Sequence, residues 1–323
     1  MFRRNFSMLF ASAIIFTVIG AGVFAPWIAP HDPRIGNLED RMIPPVWVGA
    51  ELALTMVVER MDLTSSDAQI TLRQAKKIDA SYEIGDEVMA PIKKGGTRTY
   101  LLGTDIQGRD IFSRLVHGAR VSLIVMVLTV LIGGVVGTVL GLIAGMSGGW
   151  ADEFIMRAVD VVLALPLILV AMVFVASLGS SFSLIILILA LTLWVRYARQ
   201  VRAEVLQLRE MDYVASARVS GASKARILWR HLAPGVTNTV VVIATIQVGV
   251  VLLVEASLSF LGAGIPPPNP AWGSMIAEGR ANIASSWWIS TMPGVAIVLT
   301  VISTNILGDW VRDKLDPQLR QLN

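Results

Sequence analysis

The sequence predicts an all-α, polytopic membrane protein with about six transmembrane helices and a small extracytoplasmic lobe. Of its 323 residues, 54% are hydrophobic and only 16% are charged, whereas a soluble domain carries about 25% charged residues. Several apolar runs also approach or exceed the length of about 20 residues that a helix needs to cross a bilayer. Because lipid accepts apolar side chains on the outer surface of a protein, a membrane explains this composition.

The composition also excludes several classes of function. The chain has no cysteine, so disulfides, thiolate metal sites and cysteine nucleophiles are absent. Its three histidines, His31, His117 and His231, lie far apart in the sequence, and none has a metal-binding spacing. No Gly-Lys pair exists that could form a nucleotide-binding phosphate loop. A net charge of +3 is too small to indicate a nucleic acid partner.

The first predicted span is the apolar run from Met8 to Ile28, within an N-terminal segment of residues 1–29. A cleaved signal peptide is the competing interpretation, but the apolar part of such a peptide is only about 7–15 residues long. We therefore expect a retained transmembrane helix. Arg3 and Arg4 precede the run and favour a cytoplasmic N-terminus.

Residues 30–118 are more polar and contain five prolines. We interpret them as an extracytoplasmic lobe followed by a pre-core segment; a long connector without a fold of its own is the alternative. The stretch from Ser65 to Lys77 predicts a capped, exposed helix. The stretch from Pro91 to Leu101 predicts a hairpin that turns at Gly95–Gly96.

Residues 119–310 form the predicted membrane core, and residues 311–323 form a cytoplasmic tail. The core contains five further predicted spans: Val121–Ala144, Val161–Leu178, Ser183–Val195, Val236–Leu261 and Met292–Leu307.

The first span of the core carries a stripe of glycines at four-residue spacing. The stripe consists of Gly133, Gly137, Gly141 and Gly145. This spacing places all four on one helix face, where a second backbone can approach closely. We expect helix packing at this face; a direct role in lining a path is the alternative.

The distribution of charge predicts the orientation. Six spans place both termini on the same side, together with the loop at residues 196–234. That loop holds eight basic residues against three acidic ones, which is typical of a cytoplasmic loop. One conflict with this rule remains, because Arg109, Arg114 and Arg120 fall on the outer side.

Within this loop, small residues precede a glycine that can end a helix. Ala215, Ser216 and Ala217 are followed by Gly221, and glycine readily takes the left-handed conformation that closes a helix. Ser223 can cap a second helix. The pattern predicts two short helices with a corner of small side chains that fits a groove in a partner. A basic loop lying on lipid headgroups is the alternative.

These loop residues resemble the motif of the permease subunits of type I ATP-binding-cassette (ABC) importers, E-A-A-x-x-x-G followed by Ile-Leu and Pro. The matching residues are Ala215–Ala217, Gly221, Ile227-Leu228 and Pro234. Ala215 stands where the motif has glutamate, which puts a salt bridge from that position in doubt. The resemblance implies that the following residues couple to an ATPase: Ala215, Ser216, Ala217, Arg218, Gly221, Ala222, Ser223, Lys224 and Ile227.

Two further regions resemble the C-type subunit of dipeptide, oligopeptide and nickel permeases. The first is Gly103–Leu123. The second consists of short stretches further along the chain: Glu255–Gly262, Trp272-Gly273, Asn305–Asp309, Arg312-Asp313 and Leu315–Pro317. The resemblance implies the type I ABC importer transmembrane fold and import of di- or oligopeptides. Nickel chelates, glutathione or another small solute are the alternative cargoes, and a stand-alone secondary transporter is the rival class.

The same resemblance implies the partners and the location. They are a homologous second permease subunit, two ATPase subunits, an extracytoplasmic solute-binding protein and the lipid bilayer of a bacterial inner membrane. We expect this chain to bind no cofactor and no metal. ATP and Mg would be used by the ATPase, and both termini would be cytoplasmic.

Three polar residues inside predicted spans are candidates for the translocation path, because polar groups are costly in lipid. They are Gln247, Glu255 and Asn305. Gln247 and Glu255 are eight residues apart, close to two helical turns, so they face broadly the same way. Hydrogen bonding between helices is the alternative for all three and is the preferred interpretation for Asn305.

Overall fold

A computed structural model describes residues 2–59 and 69–315, and most of these residues are helical. The helices are α1 (Phe2–Val23), α2 (Ala25–Ile28), α3 (Leu72–Ile78), α4 (Ile111–Ser147), α5 (Gly149–Ala164), α6 (Leu167–Leu178), α7 (Phe182–Leu208), α8 (Asp212–Val219), α9 (Lys224–Ile227), α10 (Ala233–Gly235), α11 (Thr237–Phe260), α12 (Trp272–Gly279) and α13 (Trp288–Leu315). The strands are β1 (Glu51–Val58), β2 (Gln69–Thr71) and β3 (Glu87–Lys93).

The predicted class of polytopic helical membrane protein is confirmed. Among the residues described, four helices are long and apolar enough to cross a bilayer, namely α4, α7, α11 and α13. The pair α5 and α6 is bent by 85° and gives a fifth candidate. The apolar part of α1, Ser7–Val23, is shorter than these.

The third predicted span, Val161–Leu178, is not one continuous helix. The helix breaks at Leu165, whose extended backbone (φ −92°, ψ 129°) separates α5 from α6. Proline sterically disfavours the helical conformation of the residue before it, and Pro166 follows Leu165 directly.

Several predicted boundaries are also wrong, because hydropathy marks the apolar window rather than the end of the helix. The fourth span was expected to end at Val195, but α7 continues to Leu208. Its charged part packs against α5, where Arg202 Nε donates to Asp152 at 2.5 Å. The loop therefore begins at Arg209 rather than at residue 196. The core begins at Ile111 rather than at residue 119, and the last helix runs on to Leu315.

Glycine contacts show how the long helices run. Gly133 faces Leu193 and Gly145 faces Val205, so α4 and α7 are parallel neighbours. Gly249 of α11 lies against Thr304 of α13, and Gly308 of α13 lies against Ile246 of α11, so these two helices are antiparallel. We call the end that holds residues 209–236 the loop end of the bundle.

The opposite end, which we call the lobe end, carries residues 30–110. Gly22, near the C-terminal end of α1, lies against Arg120 in the first turns of α4. α1 therefore starts near the loop end and runs toward the lobe end. Because α13 finishes near the start of α11, the described chain begins and finishes near the loop end.

The lobe contains a three-stranded sheet in the order β2-β1-β3, which the all-α prediction did not include. β1 pairs in parallel with β2 and antiparallel with β3. One face of the sheet packs on α3 around a small core of Val57, Ile70, Ala75 and Val88.

Two predictions within the lobe need correction. The hairpin at Gly95–Gly96 is wrong, because β3 ends at Lys93 and pairs instead with the distant β1. The Gly96 N–H donates to Val48 O at 2.8 Å. The helix begins at Leu72 rather than near Ser65, and the Thr71 N–H donates to Gln74 Oε1 at 3.0 Å. Residues 60–68, with the predicted cap, lie outside the described residues.

Candidate functional site

The loop at the loop end forms a sharp corner between two helices. α8 ends at Val219, and Gly221 has a φ of +77°. The Ala222 N–H donates to Ala217 O at 3.0 Å, which satisfies a carbonyl group at the end of the helix. A Cβ atom at Gly221 would meet nothing within 4 Å. Glycine is therefore required here for its left-handed conformation rather than for space.

The second side of the corner is built by Ser223 and α9. Ser223 Oγ accepts from the Arg226 N–H at 3.3 Å, which caps the helix. A π-helical turn, Leu228–Leu232, and α10 then lead into α11. Pro234 therefore lies within a short helix at the entry to α11.

The corner presents most of the residues that the sequence singled out. Ala215, Ser216, Arg218, Gly221, Ser223 and Lys224 are exposed, while Ala217 and Ala222 are half-buried. Ile227 is only 2% exposed, and it packs with Val214 and Leu232 against the ends of α4 and α7. Ile227 thus anchors the corner and is not on its surface.

Apolar side chains at this corner were missed by the sequence reasoning. Val219 is 90% exposed, and Trp229 and Tyr213 are also exposed. Bulky apolar groups exposed in this way occur at protein docking surfaces when they form a patch. Their presence as bulky apolar residues within a basic loop could have identified them from the sequence.

The glycine stripe lies where α4 meets α7. A Cβ atom at Gly137 would overlap the carbonyl oxygen of Trp194. A Cβ atom at Gly141 would lie 2.7 Å from Ala198 O. The absence of side chains on this face allows the two backbones to approach closely.

A cluster of four charged residues, of which three are buried and Glu278 is half-buried, fixes the lobe end. Arg109 Nε donates to Asp105 Oδ2 at 2.7 Å, and Arg109 Nη2 donates to Glu278 Oε2 at 2.6 Å. Arg114 contacts Asp105 through Nη1 and holds Glu278 through both Nη atoms, at 2.6 and 3.1 Å. The cluster joins the segment before α4 to α12.

This cluster accounts for two of the three arginines that the sequence placed on the outer side, Arg109 and Arg114. Both arginines pair with carboxylates, Asp105 and Glu278, so they have a structural role at this end of the bundle. Asp110 next to them caps α4 by accepting from the Ser113 N–H at 3.0 Å. The stretch from Gly103 to Leu123 therefore builds a structural junction.

The three candidate path residues occupy different environments. Gln247 is 4% exposed and lines a cavity of about 1160 Å³ between α7, α11 and the end of α13. Glu255 is 1% exposed and accepts from Ser259 Oγ at 2.7 Å; it does not line this cavity. Asn305 is exposed and lies beside Gly249. The structure therefore does not bring the three together.

This fold and corner define a class of molecule, and comparison with known proteins identifies that class. It is a multi-pass transport component of a membrane. Residues 137–321, more than half of the chain, match the family of binding-protein-dependent transport system inner membrane components. The chain belongs to that family. It is a permease subunit of an ABC importer, as the sequence resemblance predicted, and such a permease works with an ATPase and a binding protein.

Two relatives illustrate the range of the family. The chain is 33% identical over 319 residues to the di/tripeptide transport system permease protein DppC of Pseudomonas aeruginosa, which covers 99% of this chain and 90% of the relative. It is 42% identical over 229 residues to the glutathione transport system permease protein GsiD of Pectobacterium atrosepticum, which covers 71% of this chain and 76% of the relative.

A solved structure supports the fold. An inward-facing MetNI methionine ABC transporter aligns with a TM-score of 0.51 at 19% identity, over 63% of this chain and 96% of that chain. At this identity the likeness shows the fold alone.

Proposed function

We propose that this chain forms half of the translocation pathway of an importer for di- or oligopeptides. A homologous second permease subunit supplies the other half. Two ATPase subunits hydrolyse ATP with Mg²⁺, and this chain binds neither cofactor nor metal. An extracytoplasmic binding protein delivers the cargo at the lobe end. Glutathione or another small solute, such as a nickel chelate, is the second candidate cargo, because a glutathione permease is among the relatives.

The observation that carries this proposal is the corner at Gly221. It lies at the same end of the bundle as both ends of the described chain. It is stiffened by hydrogen bonds on both sides, and it rests on the buried cluster of Val214, Ile227 and Leu232. A rigid corner can transmit movement of an ATPase into a change of helix packing. Both termini and this corner are then cytoplasmic, as the basic loop predicts.

Co-purification tests the assembly. A tagged copy of this chain, extracted in mild detergent from its native membrane, is expected to bring down an ATPase and a second permease. Proteoliposomes made from the purified complex and its binding protein are expected to take up dipeptides in an ATP-dependent manner. If no ATPase accompanies the chain, the proposed role fails; if uptake is specific to another solute, only the cargo assignment fails.

Gly221→Val is expected to lower uptake about tenfold or more while membrane insertion stays normal. A non-glycine residue with left-handed backbone costs about 1–2 kcal/mol, and each 1.4 kcal/mol shifts an equilibrium about tenfold. The backbone at residue 221 then changes conformation to avoid this cost, and the corner no longer fits the ATPase. Uptake, and ATP hydrolysis stimulated by the binding protein, are the measurements.

Gly179→Val is the matched control. Gly179 has a φ of +79° and open space around it, but it lies between α6 and α7 at the lobe end. Valine at this position causes comparable backbone strain far from the corner. The transporter with this variant is therefore expected to keep the coupling of ATP hydrolysis to uptake. Equal loss of coupling in the two variants, or normal uptake in Gly221→Val, contradicts the coupling role.

A further inference from the structure

Arg196 is a charged side chain within α7, one of the helices long and apolar enough to cross a bilayer. It lies 14 residues after Phe182 in α7, which is about 21 Å along the helix axis, and α7 continues for 12 more residues. It is exposed, and in the part of the chain that the structure describes it forms no ion pair or hydrogen bond. An arginine at this depth is costly unless it faces a watery cavity or a partner.

Arg196 does face a cavity. It lines both the large cavity of about 1160 Å³ and a smaller one of about 140 Å³ beside it. Gln247 of α11 is the other polar residue that lines both. Arg196 and Gln247 therefore mark the junction of the two cavities, which we call the junction site.

Gln247 is built into this site with an unused donor. The residue is 4% exposed, and its buried Nε2 has no hydrogen-bond partner within the described chain. A buried polar group without a partner costs about 1–3 kcal/mol. Such a group in a cavity wall indicates a ligand that supplies an acceptor, such as the carbonyl oxygen of an amide.

The remaining polar lining suits the same kind of ligand. Gln200, Asn238 and Thr239 offer neutral donors and acceptors to the large cavity. Among the described residues of the lining, Glu204 is the one carboxylate. It lies eight residues beyond Arg196, about 12 Å along α7, and does not neutralise the charge of Arg196. Arg199, also in the lining, is already paired with Asp160 at 2.9 Å. A further arginine, Arg312, lines the large cavity near the end of α13.

We propose that the junction site binds the C-terminal end of a peptide in transit. Arg196 binds the terminal carboxylate, and Gln247 donates to a backbone carbonyl group of the peptide. Guanidinium and carboxylate groups match in geometry and form strong, charge-assisted hydrogen bonds. A cavity of this volume is large enough for a short peptide. The inference rests on the proposed peptide cargo and adds to it the group that the permease itself recognises.

The test compares two peptides that differ only in their C-terminal group. Proteoliposomes contain the complete transporter, and uptake is measured for dialanine and for dialanine amide, each at a concentration that saturates the binding protein. The variants are Arg196→Gln and Arg196→Lys. Arg157→Gln is the matched control, because Arg157 is highly exposed on α5, paired only with Glu153 at 3.7 Å, and not part of the cavity lining. For each peptide, the uptake rate of a variant is divided by the uptake rate of the control. This ratio removes any preference of the binding protein for one of the two peptides.

Arg196→Gln is expected to lower uptake of dialanine about tenfold or more, which corresponds to the loss of one charge-assisted contact. Uptake of the amide is expected to change little, and Arg196→Lys is expected to keep most of the dialanine uptake. Equal losses for both peptides overturn the inference, because Arg196 then pairs with the second permease or supports the fold. An unchanged rate for dialanine also overturns it. If the unmodified transporter moves neither peptide, the proposed cargo itself fails.

Discussion

Arg114→Ala is expected to lower the free energy of unfolding by about 3–5 kcal/mol, the usual loss when one partner of a buried ion pair is removed. The Arg114 side chain is 3% exposed and the Asp105 side chain is 0% exposed. Without Arg114, the carboxylate of Asp105 keeps only Arg109 and the neighbouring backbone N–H groups. Glu278 loses both of its contacts to Arg114, and α12 is then held less firmly against the start of α4.

Equilibrium unfolding of the purified chain in detergent micelles measures this effect. Arg120→Ala is the matched control, because Arg120 lies six residues further along α4 and is exposed; its expected change is within about 0.5 kcal/mol. Arg114→Lys is expected to fall between the two, since lysine keeps the charge but cannot hold both Glu278 oxygens as the guanidinium does.

A double variant separates the ion pair from other effects of the substitution. Combining Arg114→Ala with Glu278→Gln is expected to cost less than the sum of the two single losses, because the residues share contacts. Purely additive losses, or equal losses for Arg114→Ala and Arg120→Ala, would show that the cluster does not hold the lobe end together.

Gly137→Ala is expected to destabilise the chain by about 1–3 kcal/mol, the usual cost of overpacking. The added methyl group would overlap the carbonyl oxygen of Trp194. That atom belongs to the backbone of α7, so the helices themselves have to move apart. Contacts at Gly133 and Gly141 on the same face would loosen with them. Unfolding in micelles and the yield of assembled complex are the measurements.

Gly20→Ala is the control for this substitution. Gly20 also lies in an apolar helix, but a Cβ atom there meets nothing within 4 Å. Alanine favours helix over glycine by up to about 1 kcal/mol, so this variant is expected to be neutral or slightly more stable. Equal effects at the two positions would mean that close packing of α4 on α7 does not depend on the glycine face.

The sequence predicted the long helices well, because an apolar run of about 20 residues has few alternatives to a membrane helix. α4, α11 and α13 lie where hydropathy placed them. It predicted the ends of these helices poorly, because a helix can continue past a charged residue when that residue has a partner nearby. Arg202 in α7, for example, pairs with Asp152 in α5. It also placed the strands of the lobe poorly, since β1 pairs with a segment about 35 residues away.

The corner at Gly221 was predictable because its signals are local. A glycine after a short helix and a serine before the next one act within a few residues of each other. The cavity was not predictable, because Arg196 and Gln247 lie on different helices and meet only through packing. The position of Arg196 beside apolar residues suggested a helix end, and only the course of α7 showed that it lies mid-helix.

The sequence by itself determined the class of this protein, its long helices and the corner at Gly221, since composition, helix length and turn chemistry are local properties of the chain. The tertiary structure alone decided which charges neutralise each other, which glycines allow close approach and which polar groups face a cavity. Those facts depend on contacts between segments far apart in the sequence, such as Arg114 with Glu278. Such contacts exist only after the helices have packed.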